Sequence, residues 1–148
     1  MGVGMVVVSA TRLRVRGIRF LPAFALATNR SRKQTAAAAG FRKGQLVIDH
    51  GRTSWTVTMW DDLESMRAYR DSGAHAAVLR RIADWCDEAA TATWEQGSEQ
   101  FPDMEELGQR MVEAARFVKL PHASRAHLAG SGPMPPRPRA VQPIQRRG

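Results

Sequence analysis

The spacing of apolar residues changes several times along this chain, and each change marks an element. From residue 6 to residue 16 it is that of a strand: after a continuous apolar start, Ser9, Thr11, Leu13 and Val15 fall on one side and Arg12, Arg14 and Arg16 on the other. The segment from about Phe20 to Ala39 takes helical spacing instead, with Leu21, Phe24, Ala25 and Thr28 at i, i+3, i+4 and i+7. Pro22 fits its first turn and Gly40 its C-terminal cap. Gln45 to Asp49 is a short apolar strand and His50-Gly51 a turn. Ser54 to Trp60 follows as a strand with Trp55, Val57 and Met59 at period two, which predicts an antiparallel hairpin.

Trp60 leads straight into a helix start. Asp61 can cap the first turn and Glu64, three residues on, completes a capping-box pair, while Leu63, Met66 and Arg70 share a face. Ser72-Gly73 breaks that helix, and Ser72 can cap a second one over Gly73 to Glu88. The second helix gathers Val78, Leu79, Ile82, Trp85 and Cys86 on one apolar side, with His75 at its N-terminal end. Ala90 to Gln96, carrying Trp94, is the last core strand. After Pro102 come an amphipathic helix, Met104 to Ala115, and a short strand within Phe117 to Leu120.

The order strand, helix, strand, strand, helix pair, strand is the split βαβ pattern of a ferredoxin-like α+β sandwich. Such a sandwich leaves one sheet face bare, so a homodimer formed through that face is expected. Residues 1–121 read as one domain ending in a C-terminal helix. Residues 122–148 hold five of the eight prolines and no acid or aromatic residue, a composition that predicts a flexible, basic, disordered tail.

Charge changes this picture little. The net charge of +8 divides into ten basic groups against one acid over residues 1–60, seven against thirteen over 61–121, and five against none beyond. A bipolar chain without aromatics interleaved in a basic patch makes nucleic acid an unlikely partner in spite of the basic balance. One cysteine, Cys86, precludes an intramolecular disulfide, and without basic neighbours it reads as an inert, half-buried thiol. No apolar run reaches the length of a membrane span and none has the form of a secretory leader, so cytoplasmic residence is the default expectation. His122 and His127 lack cysteine or clustered carboxylate neighbours, and no metal site is expected.

Phosphate loops, nucleophile elbows and cysteine–histidine ligand sets are all missing from the sequence, so any chemistry must come from an open cavity. His75 is the one histidine in a predicted core element: a general base or ligand, or else a helix-start histidine bonded to the turn. Tyr69 can donate a hydrogen bond to a substrate or cap an interface. Trp55, Trp60 and Trp94 can stack a planar ligand or fill the core. The arginine face of the first strand, Arg14 included, can hold an anionic ligand or pair with carboxylates.

A strand ending in Trp60, an acidic helix start, Tyr69 and the run Ser72-Gly73-Ala74-His75 together resemble the antibiotic biosynthesis monooxygenase-like superfamily of dimeric α+β barrels. Within it the likeness is nearest to spheroidene monooxygenase-like and related bacterial proteins. The resemblance covers roughly residues 5–97. It implies a hydrophobic or aromatic small molecule held between sheet and helices, with Trp60, Tyr69 and His75 near the pocket, Trp55 and Arg14 as further ligand-binding candidates, and haem as a conceivable cofactor. A non-catalytic binding or assembly protein on the same fold is the competing expectation. Haem-degrading members use an Asn, Trp and His set. Counting from Trp60, Tyr69 and Leu79 stand where the Trp and His would fall, and the first strand has no Asn, so the resemblance does not extend to that chemistry.

Overall fold

The strand that begins at Val6 lies within the sheet, with neighbours on both sides. The computed structural model describes residues 4–130 and 135–147. β1 (Val6–Val15) is paired on one side with β3 (Thr53–Trp60) and on the other with β4 (Cys86–Gln96). β2 (Phe41–Asp49) completes the hairpin with β3, and a two-residue β5 (Arg116–Phe117) flanks β4. β6 (Pro138–Gln145) adds a sixth strand beyond β2, giving the order β5-β4-β1-β3-β2-β6 with antiparallel pairing throughout. The four inner strands, in the order β4-β1-β3-β2, and their helices make the ferredoxin-like α+β fold that the element order predicts.

Alternation along β1 separates two layers. Val6, Val8 and Ala10 face α4 (Met104–Ala114), whose Leu107 and Met111 close over them together with Val47, Trp55, Val57, Met59 and Trp94. The opposite parity, Val7, Ser9, Thr11 and Leu13, lies on the side of α1 (Leu21–Ala37), α2 (Leu63–Arg70) and α3 (Gly73–Trp85). The bare face on which a dimer was expected is therefore covered by the chain's own α4: Val6, Val8 and Trp55 are all fully buried. This corrects the stated reason for pairing, because no exposed sheet of Trp and Val side chains remains there.

Local chemistry sets the junctions. Asp62, not Asp61, caps α2, its carboxylate accepting the Ser65 amide at 2.7 Å, while Asp61 pairs with Arg42 at 2.6 Å. Gly40 takes φ +80° where the chain turns from α1 into β2, and a Cβ there would collide with the Ser65 side chain. Cys86 is the first residue of β4 rather than part of α3. It is fully buried, and burial followed by the Asp87 charge pushes its thiol up to about 12, as suits an inert group.

The disordered tail is a second correction. Ser124 donates to Glu88 at 2.8 Å and caps a short α5 (Arg125–Leu128). Pro135 then packs on Gly108 of α4, and the Arg137 amide donates to Asp49 at 3.1 Å where β6 begins. The described parts of the segment thus touch β4 at one side of the sheet, α4 at Gly108 and β2 at the other side. Prolines at 138 and 143 are tolerated because β6 is an edge strand, and Ile144 anchors it, 4% exposed, against Phe41, Trp60 and Met66. Among the described residues no helix is long and apolar enough to cross a membrane.

Candidate functional site

Between the sheet and α1–α3 lies a cavity of about 220 Å³. Its floor is the polar parity of three adjacent strands: Ser9 stands between Thr58 and Thr93, and Thr11 between Thr56 and Thr91, in direct cross-strand register. Apolar side chains build the walls, chiefly Phe24 from α1 and Val78, Ile82 and Trp85 from α3, with Ile144 of β6 at the far edge.

Trp60, Tyr69 and His75 converge on this space and stack in sequence. The Trp60 and Tyr69 ring centroids are 5.2 Å apart at 31°, and those of Tyr69 and His75 are 4.8 Å apart at 38°. Each is fixed differently. Trp60, at the end of β3, is 1% exposed and donates through Nε1 to Thr58 Oγ1 at 2.9 Å. The Tyr69 hydroxyl accepts from Thr35 at 2.6 Å and lies 3.0 Å from Ser31 Oγ, so it fastens α2 to α1 and leaves chiefly the ring to a ligand. His75, in the first turn of α3, has a buried Nδ1 with no hydrogen-bond partner among the described residues. Burial, then the charge of Arg70, draws its pKa below the usual 6.5, which keeps the imidazole neutral at pH 7 and able to accept a proton.

Two of the expected ligand contacts are elsewhere. Trp55 is fully buried on the α4 face, its Nε1 donating to Asp49 at 3.2 Å. Arg14, on the same face, makes a two-pronged pair with Asp87 at 2.9 and 2.8 Å and lies 3.5 Å from Glu88. Arg12 donates to Glu88 at 2.7 Å. Burial works against ionisation of Glu88, but the hydrogen bonds from Arg12 and Ser124 and the two guanidinium charges outweigh it and hold its pKa down. The arginine face is thus matched by carboxylates of β4 within the chain.

The strand hydroxyls and two arginines, Arg32 and Arg70, line the cavity although none of them is among the expected ligand contacts. A signal for the hydroxyls was present: Ser9-x-Thr11, Thr56-x-Thr58 and Thr91-x-Thr93 repeat one spacing in three strands, always opposite in parity to large or apolar residues.

Haem, implied by the resemblance, does not fit this space. Sites for drug-sized ligands run from about 300 to 1,000 Å³. The cavity falls below that range, a tetrapyrrole is larger than most such ligands, and the floor that would meet its apolar face is studded with hydroxyls. Among the described residues no group of three or more His, Cys, Asp or Glu is placed to hold a metal ion.

Several solved structures share the fold. A provisionally named antibiotic biosynthesis monooxygenase from Nitrosomonas europaea is 15% identical with a TM-score of 0.55, over 67% of this chain and 93% of that one. SnoaB, a cofactor-independent oxygenase from Streptomyces nogalater, is 14% identical with a TM-score of 0.52, over 66% and 97%. A dimeric ferredoxin-like protein of unknown function from Thermobifida fusca is 19% identical with a TM-score of 0.54, over 65% and 95%. At these identities the likeness is one of fold. No curated protein matches the chain significantly. The profile of a domain of unknown function, DUF3291, matches residues 22–117, from the first turn of α1 to the end of β5 and so across most of the cavity wall. The chain is a member of the DUF3291 family, and it shares its ferredoxin-like α+β fold with the solved structures from Nitrosomonas europaea, Streptomyces nogalater and Thermobifida fusca.

Proposed function

We propose that the cavity binds a small, planar, largely apolar molecule and that the protein is a monooxygenase-like enzyme in which His75 is the general base. The observation that carries the proposal is the meeting of a neutral imidazole, its Nδ1 buried, with the Trp60 and Tyr69 rings on one cavity. Oxygen chemistry is supported by the fold shared with SnoaB and the Nitrosomonas protein. In the proposed reaction an activated CH₂ beside a carbonyl gives its proton to His75, and the carbanion adds dioxygen as a peroxide. The proton returns from His75 to the peroxide, which then loses water to leave a new carbonyl. One oxygen atom enters the product and the other leaves as water.

One observation favours a second reading, binding without turnover. With the Tyr69 hydroxyl bonded to α1, His75 is, among the described residues, the one histidine in a lining that has no carboxylate or thiol. Oxygen uptake with 2-tetralone, alongside its binding by tryptophan fluorescence, separates the two. The enzyme reading expects saturable binding and uptake, with His75→Ala lowering uptake by about 10²-fold or more and weakening binding far less than that. Uptake that survives the substitution removes His75 as base. Saturable binding without uptake supports the second reading.

Pairing of two copies is part of the same proposal, supported by the dimeric Thermobifida protein. Sedimentation at micromolar concentration should give the mass of two chains, and a monomer at every concentration would end it.

A further inference from the structure

The two faces of the sheet treat arginine differently. On the α4 face Arg12 and Arg14 are matched by Asp87 and Glu88. On the cavity face, among the described residues, the lining carries two guanidinium groups and no carboxylate. Among the described residues Arg32 of α1 donates only to neutral oxygens, Gln142 Oε1 at 3.0 Å and Asn29 Oδ1 at 3.2 Å. Arg70, at the end of α2, meets Asp71 at 3.2 Å, but both side chains are at least half exposed and Asp71 does not line the cavity. Such a pair is screened by water and neutralises little of the charge presented inward.

A pocket of apolar and hydroxyl side chains has no need of two guanidinium groups, and a planar fork of donors suits a carboxylate or a phosphate, of which the singly charged carboxylate is the better match to an otherwise uncharged lining. We infer that the ligand of this cavity is an organic acid: a planar, largely apolar body with a carboxylate bound by Arg32 and Arg70, and neutral hydrogen-bonding substituents turned to the hydroxyl rows of the floor. The body lies along the Tyr69 and His75 rings. Hydroxyls at Ser9, Thr11, Thr56 and Thr91 can each donate or accept, so the floor accommodates ring hydroxyl or carbonyl groups without adding charge. This rests on the cavity being a ligand site, as proposed above, and not on whether turnover occurs.

The test uses 2-naphthoate and 2-naphthamide, which share a shape and differ in charge, each titrated into the full chain by calorimetry. The naphthoate is expected to bind about tenfold more tightly or better, as a charge-assisted hydrogen bond allows, with a preference that weakens as salt is raised. In the double variant Arg32→Gln, Arg70→Gln the naphthoate should fall to about the affinity of the amide, whose own binding changes far less. Arg70→Lys, which keeps the charge, should retain most of the preference. If losing the Gln142 contact unfolds the double variant, Arg70→Gln alone should still narrow the gap. Equal binding of the two probes by the wild-type chain would overturn the acid assignment and leave the cavity a site for neutral ligands. A preference that persists in the variants would overturn the role of these arginines. Binding of neither probe would overturn the ligand-site reading itself.

Discussion

His75 is held uncharged where the unfolded chain would leave it free to titrate. Burial is the larger cause and the charge of Arg70 the lesser, and both set its folded pKa below 6.5. The sign follows from linkage: the unfolded state binds the proton more readily, so this residue's contribution is fully present above about pH 6.5 and is lost as pH falls from there through the folded pKa. Urea unfolding at about pH 7.5 and about pH 5.5 should show a larger loss of stability in the wild type than in His75→Gln, the other three histidines being common to both. Equal losses would mean that the imidazole protonates freely in the fold. Much of this was legible in the chain, because His75 follows a helix break and Tyr69 precedes it by six residues. The placement of Trp55 beside Trp60 in one pocket could have been rejected from the sequence. Five positions apart on a strand, they must face opposite ways, and parity likewise takes Arg14 from Ser9 and Thr11.

At the scale of elements, β6 is what composition concealed. A strand at a sheet edge is held by backbone hydrogen bonds, which carry no signature in side-chain chemistry, and needs few apolar anchors. Here Ile144 is the anchor, and it both covers Trp60 and closes one end of the cavity. Ile144→Ala should cost about 2 kcal/mol, the low end of the range for a buried aliphatic side chain, because an edge site can relax. It should also weaken probe binding. A urea midpoint unchanged from wild type would mean that β6 is not held as described. The inner elements were readable because their periods are strong: Val57 and Met59 for β3, Leu107 and Met111 for α4. The shift of the α2 cap from Asp61 to Asp62 was not, since two adjacent aspartates offer the same capping group and only the register of Ser65 decides between them.

For the whole molecule, the uneven charge of the sequence resolves when β1 and β4 become neighbours. Basic groups from the first sixty residues meet acids from the next sixty across a strand pair, and together with Ser124 they tie down the start of the C-terminal segment. On one face of the sheet lies α4, and the other is left to α1–α3 and the cavity. How large the cavity is, and that its lining among the described residues lacks a carboxylate, depends on which side chains three helices bring together. No local pattern encodes that. The most direct measurement is the ¹⁵N spectrum of the His75 ring at pH 7, with and without saturating 2-naphthoate. A neutral imidazole whose nitrogen shifts move on binding is the predicted result. A charged ring, or shifts unmoved with the probe bound, would contradict the account.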